Sequence, residues 1–167
     1  MFYYLRLLFI TIILFFFSSI SNGQPGYQKR TLTITAAQPI NFGAFSVTNN
    51  SGGTVTVGWD GSRTATGSIV LLSMSPNPQP AVFAVKLCQG RNANLSFPAT
   101  STLINNNGGS ISIEIGPSEK GSNGIFLTGT KDCNYVTTLR VGGTLIIKGK
   151  ALSGTYTGDF YVAINQE

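Results

Sequence analysis

The amino-acid sequence predicts an all-β protein, an antiparallel immunoglobulin-like β-sandwich of about eight to ten short strands. From residue 31 onward, short alternating apolar and polar runs are separated by clusters of glycine, asparagine and proline. No window carries the apolar period and the cap residues that predict a helix. The final run alternates Phe160, Val162 and Ile164 with polar or small residues, as a half-buried strand does. A jelly roll is the second architecture that fits this pattern.

Residues 1–23 are predicted to form a secretory signal peptide. Arg6 supplies the positive charge, a largely apolar run extends from Leu7 to Phe17, and small residues precede Gln24, where we expect cleavage. The run is shorter than the ~20 apolar residues of a spanning helix, so an uncleaved anchor is the weaker alternative. We therefore expect an exported protein of the periplasm, outer cell surface or extracellular medium, without a transmembrane span after cleavage.

The mature chain has the size of one domain. Cleavage after residue 23 of 167 leaves 144 residues, which is enough for one core and too few for two ordinary domains. We divide these residues into a polar N-terminal extension over 24–30 and a single β-sandwich domain over 31–167.

The mature chain is mildly basic. Without Arg6, ten basic residues stand against six acidic ones, giving a net charge of +4. The basic residues are scattered and not interleaved with aromatics, so no nucleic-acid partner is expected. A cationic surface could attract anionic polysaccharide or lipid head groups, or could only keep the protein soluble.

Cys88 and Cys133 are the only cysteines. An even number of cysteines in an exported protein, without metal-ligand spacing, predicts a disulfide. Such a bridge would close a loop of about 45 residues and stabilise the fold by roughly 4 kcal/mol. A zinc site is not expected, because the chain has no histidine and no second cysteine pair.

The first half of the domain is predicted to contain five extended segments: Thr31–Ala36, Ile40–Val47, Thr54–Val57, Ser68–Ser73 and Ala81–Leu87. In the first of these, Leu32, Ile34 and Ala36 alternate with threonines, which predicts a strand with one buried face. The fourth is rich in apolar residues, which predicts a strand buried on both faces. The residues from Trp59 to Arg63 are predicted to form a turn.

The second half contains further predicted strands before the terminal run: Asn94–Phe97, Ser110–Ile115, Ile125–Leu127, Thr137–Val141 and Thr144–Lys148. In the second of these, Ile111, Ile113 and Ile115 are expected to face the core. Gly142 and Gly143 separate the last two, which form either a hairpin or one bulged strand.

The sequence offers little catalytic chemistry, and we expect neither an enzyme nor a cofactor or metal site. The absence of histidine excludes Ser-His and Cys-His nucleophiles, and no spacing of the six carboxylates marks a catalytic pair. Trp59, Tyr156 and Tyr161 could line a sugar-binding face, or could pack in the core or at a sheet edge.

The chain also resembles a bacterial family of small exported proteins, of the type called domain of unknown function 4402. The segments that carry the resemblance are, in order, Ile40–Phe45, Gly53–Val57, Arg63–Gly67, Pro80–Phe83, Val141–Leu145 and Gly154–Gly158. It covers roughly Thr31 to Asn165. This family looks like a relative of spore coat protein U and the chaperone–usher pilin subunits, and it implies no catalytic residues.

The pilin resemblance implies a sandwich that is completed by an N-terminal strand from a neighbouring subunit. It also implies a C-terminal strand with a glycine fourteenth from the end and a penultimate aromatic residue. Gly154 is fourteenth from the end, whereas Gln166 occupies the penultimate position. Leu32, Ile34 and Ala36 could be donated to the next subunit, or could form the protein's own first strand.

Two functions are therefore expected from the sequence. The first is a non-enzymatic structural or adhesive surface subunit that assembles with copies of itself or related subunits, helped by a periplasmic chaperone. The alternative is a monomeric secreted module that binds glycan or another surface polymer.

Overall fold

The computed structural model describes Tyr3 and residues 32–87, 92–121, 125–127 and 135–166. The described chain contains thirteen β-strands. Their bounds are β1 Leu32–Gln38, β2 Phe45–Val47, β3 Gly53–Val57, β4 Arg63–Gly67, β5 Ile69–Leu71, β6 Ala81–Leu87, β7 Asn92–Ser96, β8 Thr100–Asn105, β9 Ser110–Ser118, β10 Ile125–Leu127, β11 Val136–Ile147, β12 Tyr156–Thr157 and β13 Ala163–Gln166. The all-β prediction is therefore confirmed.

The strands form three antiparallel sheets in a sandwich-like arrangement. The main sheet has the order β1-β6-β11-β9-β8-β12, and β3 joins it beside β11 with β4 as its outer neighbour. A second sheet has the order β10-β7-β13, and β2 pairs with β5 in a third. Each described strand pair is antiparallel, and two of the pairs, β3–β4 and β8–β9, join consecutive strands through short turns.

The long strand β11 organises the main sheet. Its first half, up to Val141, pairs with β6, and its second half, from Gly143, pairs with β3 along the same edge. Its other edge pairs with β9, where the register shifts between Val141 and Gly143. A Cβ on Gly142 would lie 2.6 Å from the carbonyl oxygen of Val57, so the glycine allows β3 to approach. The two predicted strands are thus one bulged strand.

The core lies against the inner face of the main sheet. Its fully buried side chains come from neighbouring strands of this sheet: Val55, Val57, Val85, Ile113, Leu139 and Val141. The inward orientation predicted for Ile111, Ile113 and Ile115 is confirmed, since all three are buried while Glu114 is exposed. The alternation of β9 therefore follows the two-residue period of a pleated strand.

A strand lies within Ser68–Ser73 as predicted, but its predicted burial on both faces is wrong. The strand there, β5, has only three residues, and although Ile69 is buried, Val70 is 48% exposed. β5 pairs with β2 in a two-stranded sheet, so only one of its faces meets the core. The apolar run therefore belongs to a two-stranded sheet with one exposed face.

The terminal segment is shorter as a strand than predicted, but its inward face is as expected. Strand pairing begins at Ala163, where β13 meets β7. Ile164 is buried, and Phe160 and Val162 pack against the core without belonging to a strand.

The predicted signal peptide and both cysteines lie outside the described residues. Within the described part of the chain, no helix is long and apolar enough to cross a membrane.

Candidate functional site

The outer edge of β1 is the candidate functional site. β1 pairs with β6 from Leu32 opposite Leu87 to Gln38 opposite Val82, and no other described strand pairs with it. Its seven residues, L-T-I-T-A-A-Q, include no charge and no proline. Natural proteins usually protect sheet edges with charged side chains, prolines or very short strands, because an open edge can pair with another chain.

β1 contributes to the core only modestly. Leu32 and Ile34 are partly buried and pack against the core, while Thr33 and Thr35 on the opposite face are exposed. Ile34 lies opposite Val85, which is completely buried. The strand therefore covers part of β6 with two aliphatic side chains.

The expected burial of Ala36 is wrong, because this residue is exposed. The register between β1 and β6 shifts between Ala36 and Gln38. Such a bulge changes the direction of the side chains beside it. The inward alternation of β1 therefore ends at Ile34.

The segment after β1 is held firmly. The side chain of Gln38 donates a hydrogen bond to the carbonyl oxygen of Pro80 at 2.8 Å. Asn41 and Gln79 exchange two backbone hydrogen bonds of 2.8 Å. The chain is thus fixed at the end of β1, whereas from Leu32 to Ala36 its strand pairing is to β6 alone.

One of the C-terminal candidates, Phe160, contacts β6, the strand with which β1 pairs. The ring of Phe160 lies edge-on to that of Phe83 in β6, with centroids 6.0 Å apart and an interplanar angle of 81°. In the strand register, Phe83 is opposite Ala36. β6 therefore connects β1 to the aromatic part of the terminal segment, while Ile164 pairs with Leu95 farther along.

Gly154 belongs to a different region. It has a φ of 143° and lies near the side chain of Asn105, at the turn between β8 and β9. The structure thus does not bring Gly154 together with Phe160 and β1 in one site.

The three aromatic candidates for sugar binding are likewise separated. Trp59 is 41% exposed in the β3–β4 turn, near the end of the sheet where Val57 pairs with Gly143. Tyr156 pairs with Asn105 at the opposite end and donates its hydroxyl to the carbonyl oxygen of Leu152. Tyr161 is 70% exposed in the terminal segment. They do not form one aromatic face.

Next to Trp59, the carboxylate of Asp60 accepts hydrogen bonds from the Ser62 hydroxyl at 2.6 Å and the Ser62 backbone N–H at 3.0 Å. These bonds, the hydroxyl first, lower the pKa of Asp60. Both partners are exposed, so the arrangement serves to close the turn.

No metal-binding group of three or more His, Cys, Asp or Glu residues occurs within the described ranges. Cys88 and Cys133, the predicted disulfide pair, lie outside the described residues. The strands that flank the two cysteines are neighbours, since Lys86 of β6 lies opposite Val136 of β11.

Sequence reasoning found β1 through its alternation but missed the feature that singles it out, its position at the edge of the sheet. Position in a sheet depends on long-range pairing, for which the local pattern carries no signal. The length of the strand and its lack of charge, in contrast, can be read from the sequence.

A family model described as Domain of unknown function (DUF4402) matches residues 32–165. No curated protein and no solved structure matches the chain. The family match begins at the first residue of β1 and ends within β13, so it spans the whole described sandwich. The chain therefore belongs to the DUF4402 family.

Proposed function

We propose that this protein is an exported, non-enzymatic structural or adhesive subunit of the cell surface that assembles by exchanging β1 between copies. The observation that carries the proposal is the position of β1, an uncharged seven-residue strand at the edge of the main sheet. The resemblance to spore coat protein U and chaperone–usher pilin subunits supports the same mode of assembly, with a periplasmic chaperone as a further partner.

β1 is better suited to exchange than the other outer strands of the described sheets. β13 has four residues, β2, β5 and β10 have three each, β12 has two, and β4 begins with the charged Arg63. An exchanged β1 would make the same contacts with β6 of a neighbour that it makes within its own chain. Exchange therefore gains no new interface and costs mainly the entropy of association.

The exchanged assembly should be slow to dissociate. Release of β1 breaks its pairing with β6 and uncovers the partly buried Leu32 and Ile34 as well as the surface beneath them. Exposure of aliphatic surface and loss of strand hydrogen bonds both raise the barrier to separation. Exchange in one direction along a row of copies would produce an open fibre, and reciprocal exchange would produce a closed dimer.

The test is electrophoresis of the mature protein without boiling. We expect an SDS-resistant ladder of oligomers that disappears when residues 24–37 are deleted. Since the deleted chain also lacks its own edge strand, a synthetic peptide of residues 24–38 should bind it and produce a monomeric complex. A mature protein that stays a monomer at every concentration, together with a deleted chain that ignores the peptide, would contradict the proposal.

A monomeric module for glycan or surface-polymer binding remains the second candidate, and it is favoured by the exposed ring of Trp59. An exposed tryptophan can stack on the apolar face of a sugar. This function predicts a monodisperse monomer that binds on a glycan array and loses that binding with Trp59→Ala. If the variant still binds glycan, Trp59 is not the sugar-binding residue and this second function loses its support.

A further inference from the structure

A small cleft lies at the end of the main sheet opposite the Trp59 turn. It is lined by Gly109 and Ser110 at the start of β9 and by the segment Lys148–Leu152 after β11, and its volume is about 130 Å³. We call it the lysine cleft. We propose that the lysine cleft binds a single acidic group of a surface polysaccharide. This inference does not rest on strand exchange, because none of the lining residues belongs to β1 or β6.

The walls of the lysine cleft are held by the surrounding backbone. Gly149 packs so closely on the carbonyl oxygen of Asn50, in the β2–β3 turn, that no side chain fits at this position. Lys150 has a φ of 71°, and the backbone N–H of Ala151 donates to the carbonyl oxygen of Lys148 at 3.3 Å. The hydroxyl of Tyr156 holds the carbonyl oxygen of Leu152 at 2.7 Å. A cleft fixed before binding loses little entropy when a ligand enters.

The charge of the lysine cleft is positive. Lys148 and Lys150 are both exposed there, and none of the described carboxylates lines it. Asp60 is at the far end of the sheet, Glu114 is on the outer face of β9, and Glu119 accepts the backbone N–H of Arg140. Two ammonium groups without a carboxylate beside them attract an anion.

A buried amide lies behind one wall of the cleft. Asn105 is 7% exposed, and its Oδ1 accepts the backbone N–H groups of Asn107 and Gly109 at 3.0 and 2.7 Å. Its Nδ2 has no hydrogen-bond partner among the described atoms and lies 3.0 Å from where a Cβ on Gly109 would stand. Buried donors are nearly always paired in folded proteins. Asn105 does not line the cleft itself, so its part is to hold the backbone of the Gly109 wall in place through the two bonds to its Oδ1.

The size and chemistry of the lysine cleft favour one acidic group of a polymer. At ~30 Å³ per water molecule, the cleft has room for about four waters, which suits a carboxylate, sulfate or phosphate group and not a whole sugar ring. Leu152 is 49% exposed beside the lysines and offers an apolar contact for the adjoining ring carbons. A membrane is a less suitable partner. Each lysine contributes only about 1 kcal/mol of attraction to an anionic membrane surface, and stable anchoring requires a second element such as an attached lipid chain.

The experiment measures binding of the mature chain to polygalacturonate, with neutral dextran as the uncharged polymer. The double variant Lys148→Gln, Lys150→Gln removes the two charges of the cleft. The matched control, Lys120→Gln with Arg140→Gln, removes the same net charge from exposed positions elsewhere. We expect about a tenfold loss of affinity in the first variant and less than about a twofold loss in the second. Ser110→Asp, which puts a carboxylate at the exposed wall, should weaken binding to a similar extent.

Two further probes separate the sources of the acidic group. Dextran sulfate should bind at pH 3 as well as at pH 7, whereas polygalacturonate should lose affinity at low pH as its carboxylates are protonated. Equal losses in the two double variants would show that net charge alone drives binding and would overturn the proposal. Tighter binding to vesicles of phosphatidylglycerol and phosphatidylcholine than to either acidic polymer would overturn it as well.

Discussion

Arg63 links the main sheet to the small β2–β5 sheet. Its guanidinium donates hydrogen bonds to the carbonyl oxygens of Ala44 at 2.6 Å and Leu72 at 3.3 Å, which flank the two strands of the small sheet. Partial burial lowers the pKa of this guanidinium. Arginine is suited to such a position, because its planar fork reaches two acceptors at once and stays charged.

Asp60 and Ser62 provide a prediction at the residue scale. Removal of the hydroxyl in Ser62→Ala should raise the pKa of Asp60 towards the ordinary aspartate value, because the hydroxyl bond is the largest cause of its lowering. Carboxyl titration by NMR measures this directly.

The sign of the effect on stability follows from linkage. Since folding lowers the pKa of Asp60, the stabilisation is present above the unfolded pKa and is lost as the pH falls through the folded pKa. Ser62→Ala should therefore weaken the acid dependence of stability in that window, and Ser62→Thr, which keeps a hydroxyl, should preserve it. An unchanged Asp60 titration in Ser62→Ala would contradict this explanation.

At the scale of the element, the prediction missed β4, β8 and the two-residue β12. β4 contains one aliphatic side chain, Ala65, and its first residue, Arg63, was expected to end the turn that starts at Trp59. β4 pairs with β3 along its whole length. Threonine hydroxyls bond across the strands here, Thr54 with Thr66 of β4 at 2.7 Å, and Thr56 of β3 with Thr144 of β11 at 2.9 Å. These hydroxyl pairs depend on register, which the apolar pattern of β4 alone does not show.

β8, with the sequence T-S-T-L-I-N, was missed because its apolar pattern is incomplete. Leu103 faces the core, while Ile104 is 61% exposed on the outer face. Its pairing with β9, from Thr100 opposite Glu114 to Ile104 opposite Ser110, defines the strand. Strong alternation in β9, by contrast, was enough to predict both the strand and its inward face. Sequence therefore predicted the strands with alternating aliphatic residues and not those held mainly by their neighbours.

The terminal segment offers a prediction at the scale of the element. Ile164 is 8% exposed and Tyr161 is 70% exposed, although they lie three residues apart. We expect Ile164→Ala to lower the free energy of unfolding by about 2–4 kcal/mol, through lost burial and the cavity that remains. Tyr161→Ala, as the matched control, should change it by less than about 0.5 kcal/mol.

Urea unfolding of both variants checks this contrast. Equal effects, or a stable Ile164→Ala variant, would mean that the terminal segment does not close the core.

At the scale of the whole molecule, the described sandwich has a buried interior and a long edge strand, β1, whose outer edge pairs with no other described strand. β1 pairs with β6 of the same chain, and Leu32 and Ile34 pack against the core, so the described fold contains its own first strand. The two alternatives for Leu32 and Ile34 are compatible, because the same strand can complete its own sheet or that of a neighbour. The alternation of β1 could be predicted from the sequence, and its outermost position could not, because that position depends on where β6 and β11 pair.

The strand register between β1 and β6 allows a direct test of the proposal that β1 is exchanged between copies. Thr35 of β1 lies opposite Ala84 of β6, with the Thr35 side chain exposed. One preparation of the mature chain would carry Thr35→Cys and another Ala84→Cys, and the two would be mixed and oxidised. A third preparation with Thr102→Cys, exposed on β8 away from this pair, would replace the Thr35→Cys chain as the control.

Exchange of β1 between copies predicts a disulfide-linked heterodimer from the first mixture and none from the control mixture. If instead a single chain carrying both Thr35→Cys and Ala84→Cys links only within itself, and the mixed chains never link, then β1 stays in its own sheet and assembly by strand exchange is contradicted.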